Sequence, residues 1–263
     1  MTKDQELYIN LMKKILLNDI YDEHEYLIKG AQINGNGTAA GEFTAIPRII
    51  DSIAKDLGRI WPPTKMAHTM IGRKRLENLQ FCIEAIVSDQ VPGDLIETGV
   101  WRGGATIFMK ACIKALNERD RVIWVADSFE GLPPPSQLYP LDNGDVHYTY
   151  PELAVSLEKV QDNFKKYDLL DEKIHFLKGW FSETLKTDAI GKLAIIRLDG
   201  DMYESTIDAI SALYPKLSKG GFLIVDDYCL QPCAQAIHDY RTQHNIHDEI
   251  IDIDGTGVFW RKN

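Results

Sequence analysis

The sequence predicts an α/β fold, a mostly parallel seven-stranded sheet with helices on both faces and an antiparallel hairpin at its end. Three observations carry this. From Gly93 onward, short apolar runs alternate with helical patterns. The runs are apolar throughout instead of alternating, as strands covered on both faces must be. The closing stretch EIIDIDGTGVFWRK sets Asp254-Gly255 between two β-rich runs, a hairpin signal.

Taken in order, 94–99 (DLIETG), 122–128 (VIWVADS), 174–180 (IHFLKGW), 194–200 (AIIRLDG) and 221–227 (GFLIVDD) read as parallel strands. Helices are expected at 104–116, 152–167, 182–189, 204–217 and 232–245. A long loop over 129–151 contains Pro133-Pro134-Pro135. Before the sheet, 4–29 reads as an amphipathic helix with Leu7, Leu11, Ile15 and Ile20 at near-helical spacing. The loop Asn34-Gly35-Asn36-Gly37 and a helix at 46–57 follow, the latter broken by Trp61-Pro62-Pro63. Residues 73–88 form a further helix with Leu76, Leu79, Ile83 and Ile86 on one face. The expected organisation is a helical lid or oligomerisation extension over 1–90 and a catalytic domain over 91–263.

Composition narrows the partners. Apolar residues make up 44% and charged residues 26% of the 263, an ordinary globular balance. Lys+Arg 29 against Asp+Glu 39 gives a net charge of −10, which argues against nucleic acid or an anionic membrane as partner. No apolar run approaches the ~20 residues of a membrane span. The charged start, MTKDQELYINLMKK, reads as no signal peptide. Cys82, Cys112, Cys229 and Cys233 form no CxxC pair, so a reduced, cytoplasmic protein without a zinc site is expected.

In open α/β sheets, ligands bind at the carboxyl ends of the strands. The first strand runs into Glu97-Thr98-Gly99-Val100-Trp101-Arg102-Gly103-Gly104. Gly99 and Gly103 permit close backbone approach, and Glu97 adds a carboxylate where a phosphate would want cations. That carboxylate suits an ammonium group, as in the methionine part of S-adenosylmethionine. Asp127, ending the second strand, can accept from two ribose hydroxyls. The competing reading is a structural glycine turn beside a solvated carboxylate. Gly35-Asn36-Gly37-Thr38-Ala39-Ala40-Gly41 imitates a dinucleotide fingerprint, but no strand precedes it and a plain loop is expected.

The fourth and fifth strands end in Asp199-Gly200-Asp201 and Asp226-Asp227. If these strands are neighbours, four carboxylates meet at one sheet edge. Like charges ~4 Å apart repel by about 4 kcal/mol at an effective dielectric near 20. A cation relieves this, and an all-oxygen donor set points to Mg²⁺ or another hard ion. Asp199, Asp226 and Asp227 are the candidate metal ligands, with Asp201 the candidate general base. The alternative makes Asp199 and Asp226 helix caps. His147 and Tyr148 in loop 129–151 are candidate acceptor contacts, against the plainer reading of surface residues. Arg197 is a candidate partner for one acid of the cluster, and Trp180 and Phe181 candidates for adenine stacking.

Thr69–Leu79 (TMIGRKRLENL), Pro92–Thr106 (PGDLIETGVWRGGAT), Val125–Pro133 (VADSFEGLP), Gly179-Trp180-Phe181, Leu198–Tyr203 (LDGDMY) and Asp226-Asp227-Tyr228 together form a pattern that resembles the macrocin O-methyltransferase (TylF-type) family. The resemblance implies a Rossmann-like class I methyltransferase fold, S-adenosyl-L-methionine and Mg²⁺ as cofactors, a sugar hydroxyl of a natural product as acceptor, and a homo-oligomer. It implies cofactor contacts from Thr69 and Met70, from Glu97, Thr98, Gly99, Val100 and Trp101, from Asp127 and Ser128, and from Gly179 and Trp180. It implies Asp199, Asp226 and Asp227 as metal ligands and Asp201 as base. Residues 1–60 and loop 129–151 match any pattern poorly, and are expected to form the acceptor lid. The competing functions are methylation of a polyketide or phenolic hydroxyl or of an amine, a non-catalytic cofactor-binding scaffold, and a nicotinamide oxidoreductase. The intact aspartates disfavour the scaffold, and Glu97 and the hairpin disfavour the oxidoreductase.

Overall fold

A computed structural model describes residues 1–20, 25–28, 43–46 and 66–263, the two short internal segments by backbone alone. The chain begins with α1 (Lys3–Leu16), capped by the reciprocal Thr2–Gln5 box. β1 (Glu25–Ile28) and β2 (Phe43–Ile46) pair antiparallel. Then come α2 (Arg73–Ser88), β3 (Asp94–Thr98), α3 (Gly104–Ala115), β4 (Ile123–Asp127), α4 (Leu157–Lys166), β5 (Ile174–Lys178) and α5 (Phe181–Thr184). β6 (Leu193–Leu198), α6 (Tyr203–Leu213), β7 (Leu217–Val225), α7 (Gln231–Gln243), β8 (Ile251–Asp252) and β9 (Val258–Arg261) complete it.

The main sheet has seven strands in the order β5-β4-β3-β6-β7-β9-β8. β3 to β7 are mutually parallel, and β9 enters antiparallel beside β7, as the hairpin signal predicts. The order reverses between β4-β3 and β6, so the ends of β3 and β6 flank the switch point. One apolar layer joins α1, α2 and α3 to a face of the sheet through Ile9, Met12, Leu16, Leu76, Ile83 and Phe108. The other joins α6 and α7 to the opposite face through Ile210, Leu213, Ile237, Leu223 and Trp260.

Several expectations are corrected. The first helix stops at Leu16 instead of running to residue 29, because Asn18 turns left-handed at φ 55° and 25–28 is a strand. Its buried face is Ile9, Met12, Lys13 and Leu16. The predicted stripe fails: Leu7, Leu11 and Ile20 are exposed. α4 starts at Leu157, not 152, since Ser156 caps it by accepting from the Lys159 amide. α5 is one turn long, Phe181–Thr184, instead of reaching 189, and the ammonium of Lys216 binds the carbonyls of Thr187 and Ile190 in the segment that follows. The helix expected at 46–57 gives way to strand at Ile46, and its remainder lies outside the described residues, as do Gly35–Gly41 and Trp61-Pro62-Pro63. α2 and its apolar face agree with the sequence reading. No helix among the described residues is long and apolar enough to cross a membrane.

Candidate active site

Three carboxylates shape the strand ends by gripping backbone amides. Asp127 accepts from the amides of Val100 (2.7 Å), Trp101 (3.3 Å) and Phe129 (2.7 Å). This holds Trp101 and Phe129 in the left-handed region, at φ 48° and 58°. Asp227 accepts from the amide of Asp201 at 3.2 Å, and Asp201 is also left-handed, at φ 56°. Such conformations cost non-glycine residues on the order of 1–3 kcal/mol each and persist where surroundings enforce them. Asp142, 1% exposed, accepts from the amides of Tyr203 (2.7 Å) and Glu204 (3.0 Å) at the start of α6.

Two glycines are required by close approach. Gly99 has φ 81°, and a Cβ there would lie 1.6 Å from the carbonyl oxygen of Asp199. It therefore lets the end of β3 press on the end of β6. Gly104 seats the segment carrying Thr69 and Met70, since a Cβ would lie 2.2 Å from the His68 carbonyl oxygen. The expectation that Gly103 opens space for a ligand is replaced by a packing role, because its Cβ would meet Val160 at 2.9 Å.

A cleft of about 320 Å³ opens over these strand ends. Met70, Gly99, Trp101, Asp127, Ser128, Gly179, Trp180, Asp199 and Asp201 of the predicted set line it, with Leu132, Pro133 and Pro134 from loop 129–151 and Phe181, Glu204 and Asp208 besides. Thr69, Glu97, Val100 and Asp226 line a smaller cavity of about 30 Å³ that shares Met70, Trp101 and Asp199 with the cleft. Thr98 is buried in β3 and lines neither cavity. His147 and Tyr148 are not in the cleft lining. His147 instead pairs its Nδ1 with Asp145 at 2.8 Å on a short 3₁₀ turn, and Tyr148 is exposed. Glu204, Asp208, Asp142 and Arg75 are the polar groups here that sequence reasoning missed. Asp142 follows Pro140 and precedes Asn143-Gly144, so in sequence it reads as an ordinary turn acid.

Under the cleft lies a buried charge network. Asp199, Asp226 and Asp227 each present an oxygen within 4.8 Å of the others. Arg197, 2% exposed, binds Glu97 at 2.5 Å, Asp199 at 2.7 Å and Asp226. Arg75 forms an ion pair with the other oxygen of Asp226 and donates to Asp254 at 2.8 Å, tying α2 to the hairpin turn. Five carboxylates (Glu97, Asp199, Asp226, Asp227, Asp254) thus face two guanidiniums, a formal excess of three negative charges. Burial raises the Glu97 carboxyl to about 7, against the pull of Arg197. Burial, with Asp226 and Asp227 as neighbours, raises Asp199 well above the usual carboxylate range. An all-oxygen donor set with surplus negative charge fits a hard divalent ion, and guanidiniums already engage both oxygens of Asp226.

Comparison with known proteins agrees with this architecture. The family model Macrocin-O-methyltransferase (TylF) matches residues 5–262. The 8-demethyl-8-(2,3-dimethoxy-alpha-L-rhamnosyl)-tetracenomycin-C 4'-O-methyltransferase of Streptomyces olivaceus is 50% identical over 99% of this chain and 95% of its own. The mycinamicin III 3''-O-methyltransferase of Micromonospora griseorubida is 44% identical over 98% and 97%. The solved structure of the O-methyltransferase NovP superposes with a TM-score of 0.86 at 44% identity, covering 99% of this chain and 100% of that one. The sheet order, the terminal hairpin and the full-length match converge: the chain is an O-methyltransferase of the macrocin O-methyltransferase (TylF) family, on a Rossmann-like class I methyltransferase fold.

Proposed function

We propose that this protein transfers the methyl group of S-adenosyl-L-methionine, with Mg²⁺, to a hydroxyl of a deoxysugar carried by a natural product. The observation that carries the reading is the convergence of Asp199, which lines the cleft beside Asp201, with the buried Asp226 and Asp227 beneath it. The acceptor class is suggested by the relative that methylates a rhamnosyl-bearing tetracenomycin, and the mycinamicin III 3''-O-methyltransferase supports a natural-product acceptor.

In this reading Met70, Gly99, Trp101, Asp127, Ser128, Gly179 and Trp180 bind the cofactor from the cleft, and Thr69, Glu97, Thr98 and Val100 support the turn that holds it. Asp127 acts mainly by fixing that turn, because each of its oxygens already accepts from backbone amides. Asp199, Asp226 and Asp227 would hold the divalent ion. When bound, the ion would supply Lewis acidity that lowers the pKa of an acceptor hydroxyl, and the cofactor an electrophilic methyl. Asp201 receives the hydroxyl proton, held toward the cleft by its left-handed backbone and the Asp227 bond to its amide. Trp180, Phe181, Leu132 and Pro133 form apolar walls that exclude water from the reacting atoms. Loop 129–151 and the extension over 1–90 cover the acceptor, and the extension also makes subunit contacts.

The test is methyl transfer from labelled cofactor to glycosylated acceptors by wild type and Asp201→Asn, with and without chelator. Chelation abolishes transfer by wild type. Asp201→Asn lowers kcat by about 10²-fold or more with cofactor affinity unchanged. A variant near the wild-type rate refutes the assignment of the base.

A further inference from the structure

The segment Asp199-Gly200-Asp201-Met202 bears both a proposed ligand and the proposed base, and its two ends are held differently. Its beginning is held by the sheet: the Asp199 amide donates to the Thr98 carbonyl at 2.9 Å. Its end runs into α6, whose N-cap is Met202, a side chain that cannot accept the unpaired amides of a first helical turn. The carboxylate of Asp142 performs that task from 61 and 62 residues away, with one oxygen on each of the Tyr203 and Glu204 amides. It is negative at the positive end of the helix dipole and nearly fully buried.

Asp142 belongs to the loop that lines the cleft through Leu132, Pro133, Pro134 and Ser136. The ring of Tyr139 also packs on that of Tyr203, with centroids 5.7 Å apart. The same loop is fastened at its far end to the cofactor side, where the indole nitrogen of Trp101 donates to the Glu152 carbonyl at 2.8 Å. The loop therefore spans both halves of the cleft, and Asp142 is its tie on the side of Asp201.

We infer that Asp142 is a positioning residue: it locks the cleft-lining loop to the first turn of α6 and thereby sets Asp201 against the acceptor. The inference rests on the proposed role of Asp201. It separates acceptor-side geometry from cofactor binding, because the Trp101–Glu152 tie does not depend on Asp142. Loss of the tie lets both the loop and the Asp201 turn move. A misplacement of about 1 Å costs on the order of 10²-fold in rate.

The experiment compares wild type, Asp142→Asn and Asp142→Ala by amide hydrogen exchange, by calorimetric titration with S-adenosylhomocysteine, and by kcat and KM for the acceptor. In Asp142→Ala, exchange rises together in 136–146 and 200–206 and stays unchanged in β3 and β4. Nucleoside affinity holds within about twofold, and kcat/KM falls by on the order of 10–100-fold. Asp142→Asn, which keeps one acceptor oxygen, falls between. Faster exchange in 136–146 alone overturns the inference, as does an unchanged kcat/KM, or an equal loss of nucleoside affinity. If no glycosylated acceptor is methylated even by wild type, the functional reading fails, while the exchange pattern still decides whether Asp142 couples loop and turn.

Discussion

Replacing Arg197 with methionine removes the one guanidinium that touches Glu97, Asp199 and Asp226 together. Arg197 and Glu97 are each 2% exposed, so their pairing is desolvated on both sides. Removing one partner of such a pair costs about 3–5 kcal/mol. Protonation limits the damage here: Glu97 already titrates at about 7, so near neutral pH it can shed its charge cheaply. The cost then falls near 3 kcal/mol, a substantial part of the ~5–15 kcal/mol typical of a whole protein. At about 2–4 °C per kcal/mol, Tm drops by roughly 6–12 °C. The sign of the pH dependence follows. Without Arg197 the carboxylates have folded values further above their unfolded ones, so the folded state binds more protons and its stability falls as pH rises through them. Urea unfolding of both proteins at pH 5.5 and pH 8, in buffer without divalent ions, measures this. The deficit of Arg197→Met is larger at pH 8. A deficit below about 1 kcal/mol, or one equal at both pH values, refutes the argument that Arg197 offsets buried carboxylates.

Two further outcomes follow from the same structure. Gly99→Ala places a methyl group inside the contact with Asp199 at a left-handed φ, so it lowers stability by more than about 2 kcal/mol and reduces methyl transfer severely; urea unfolding and turnover read both. His68, partly buried and bonded through Nδ1 to the Tyr167 hydroxyl, is lowered by burial to about 4. Its contribution is complete above its unfolded value near 6.5 and is lost as pH falls from there toward 4. Wild type therefore loses about 1 kcal/mol more than His68→Gln between pH 7 and pH 5, discounting for partial exposure, as compared by chemical denaturation.

What was legible in the sequence was what burial on two faces imposes. The central strands β3, β4 and β6 are largely apolar and buried, and the strand ends at Gly99, Asp127, Asp199 and Asp226 followed from where apolar runs met turn residues. That placed the acidic edge correctly, since adjacency of β6 and β7 brings Asp199 to Asp226 and Asp227. Helix ends were less legible, because single caps and turns decide them: Ser156 starts α4, and the left-handed Asn18 follows the end of α1. Arg75 and Asp142 were hidden for a related reason. Each acts across the fold, on Asp226 and on Tyr203, and no local pattern marks a side chain whose partner is 61 or more residues away. The glycines were read as making room for a ligand, whereas at Gly103 the neighbour is Val160, and Gly99 both lines the cleft and packs on the Asp199 carbonyl.

The central claim is that the aspartates at the ends of β6 and β7 hold a divalent cation. Titration of Mn²⁺ followed by electron paramagnetic resonance, into wild type and Asp227→Asn, tests it most directly. One saturable site is expected in wild type and none in the variant, while both remain folded. A site of equal affinity in both proteins, or none in wild type, contradicts it.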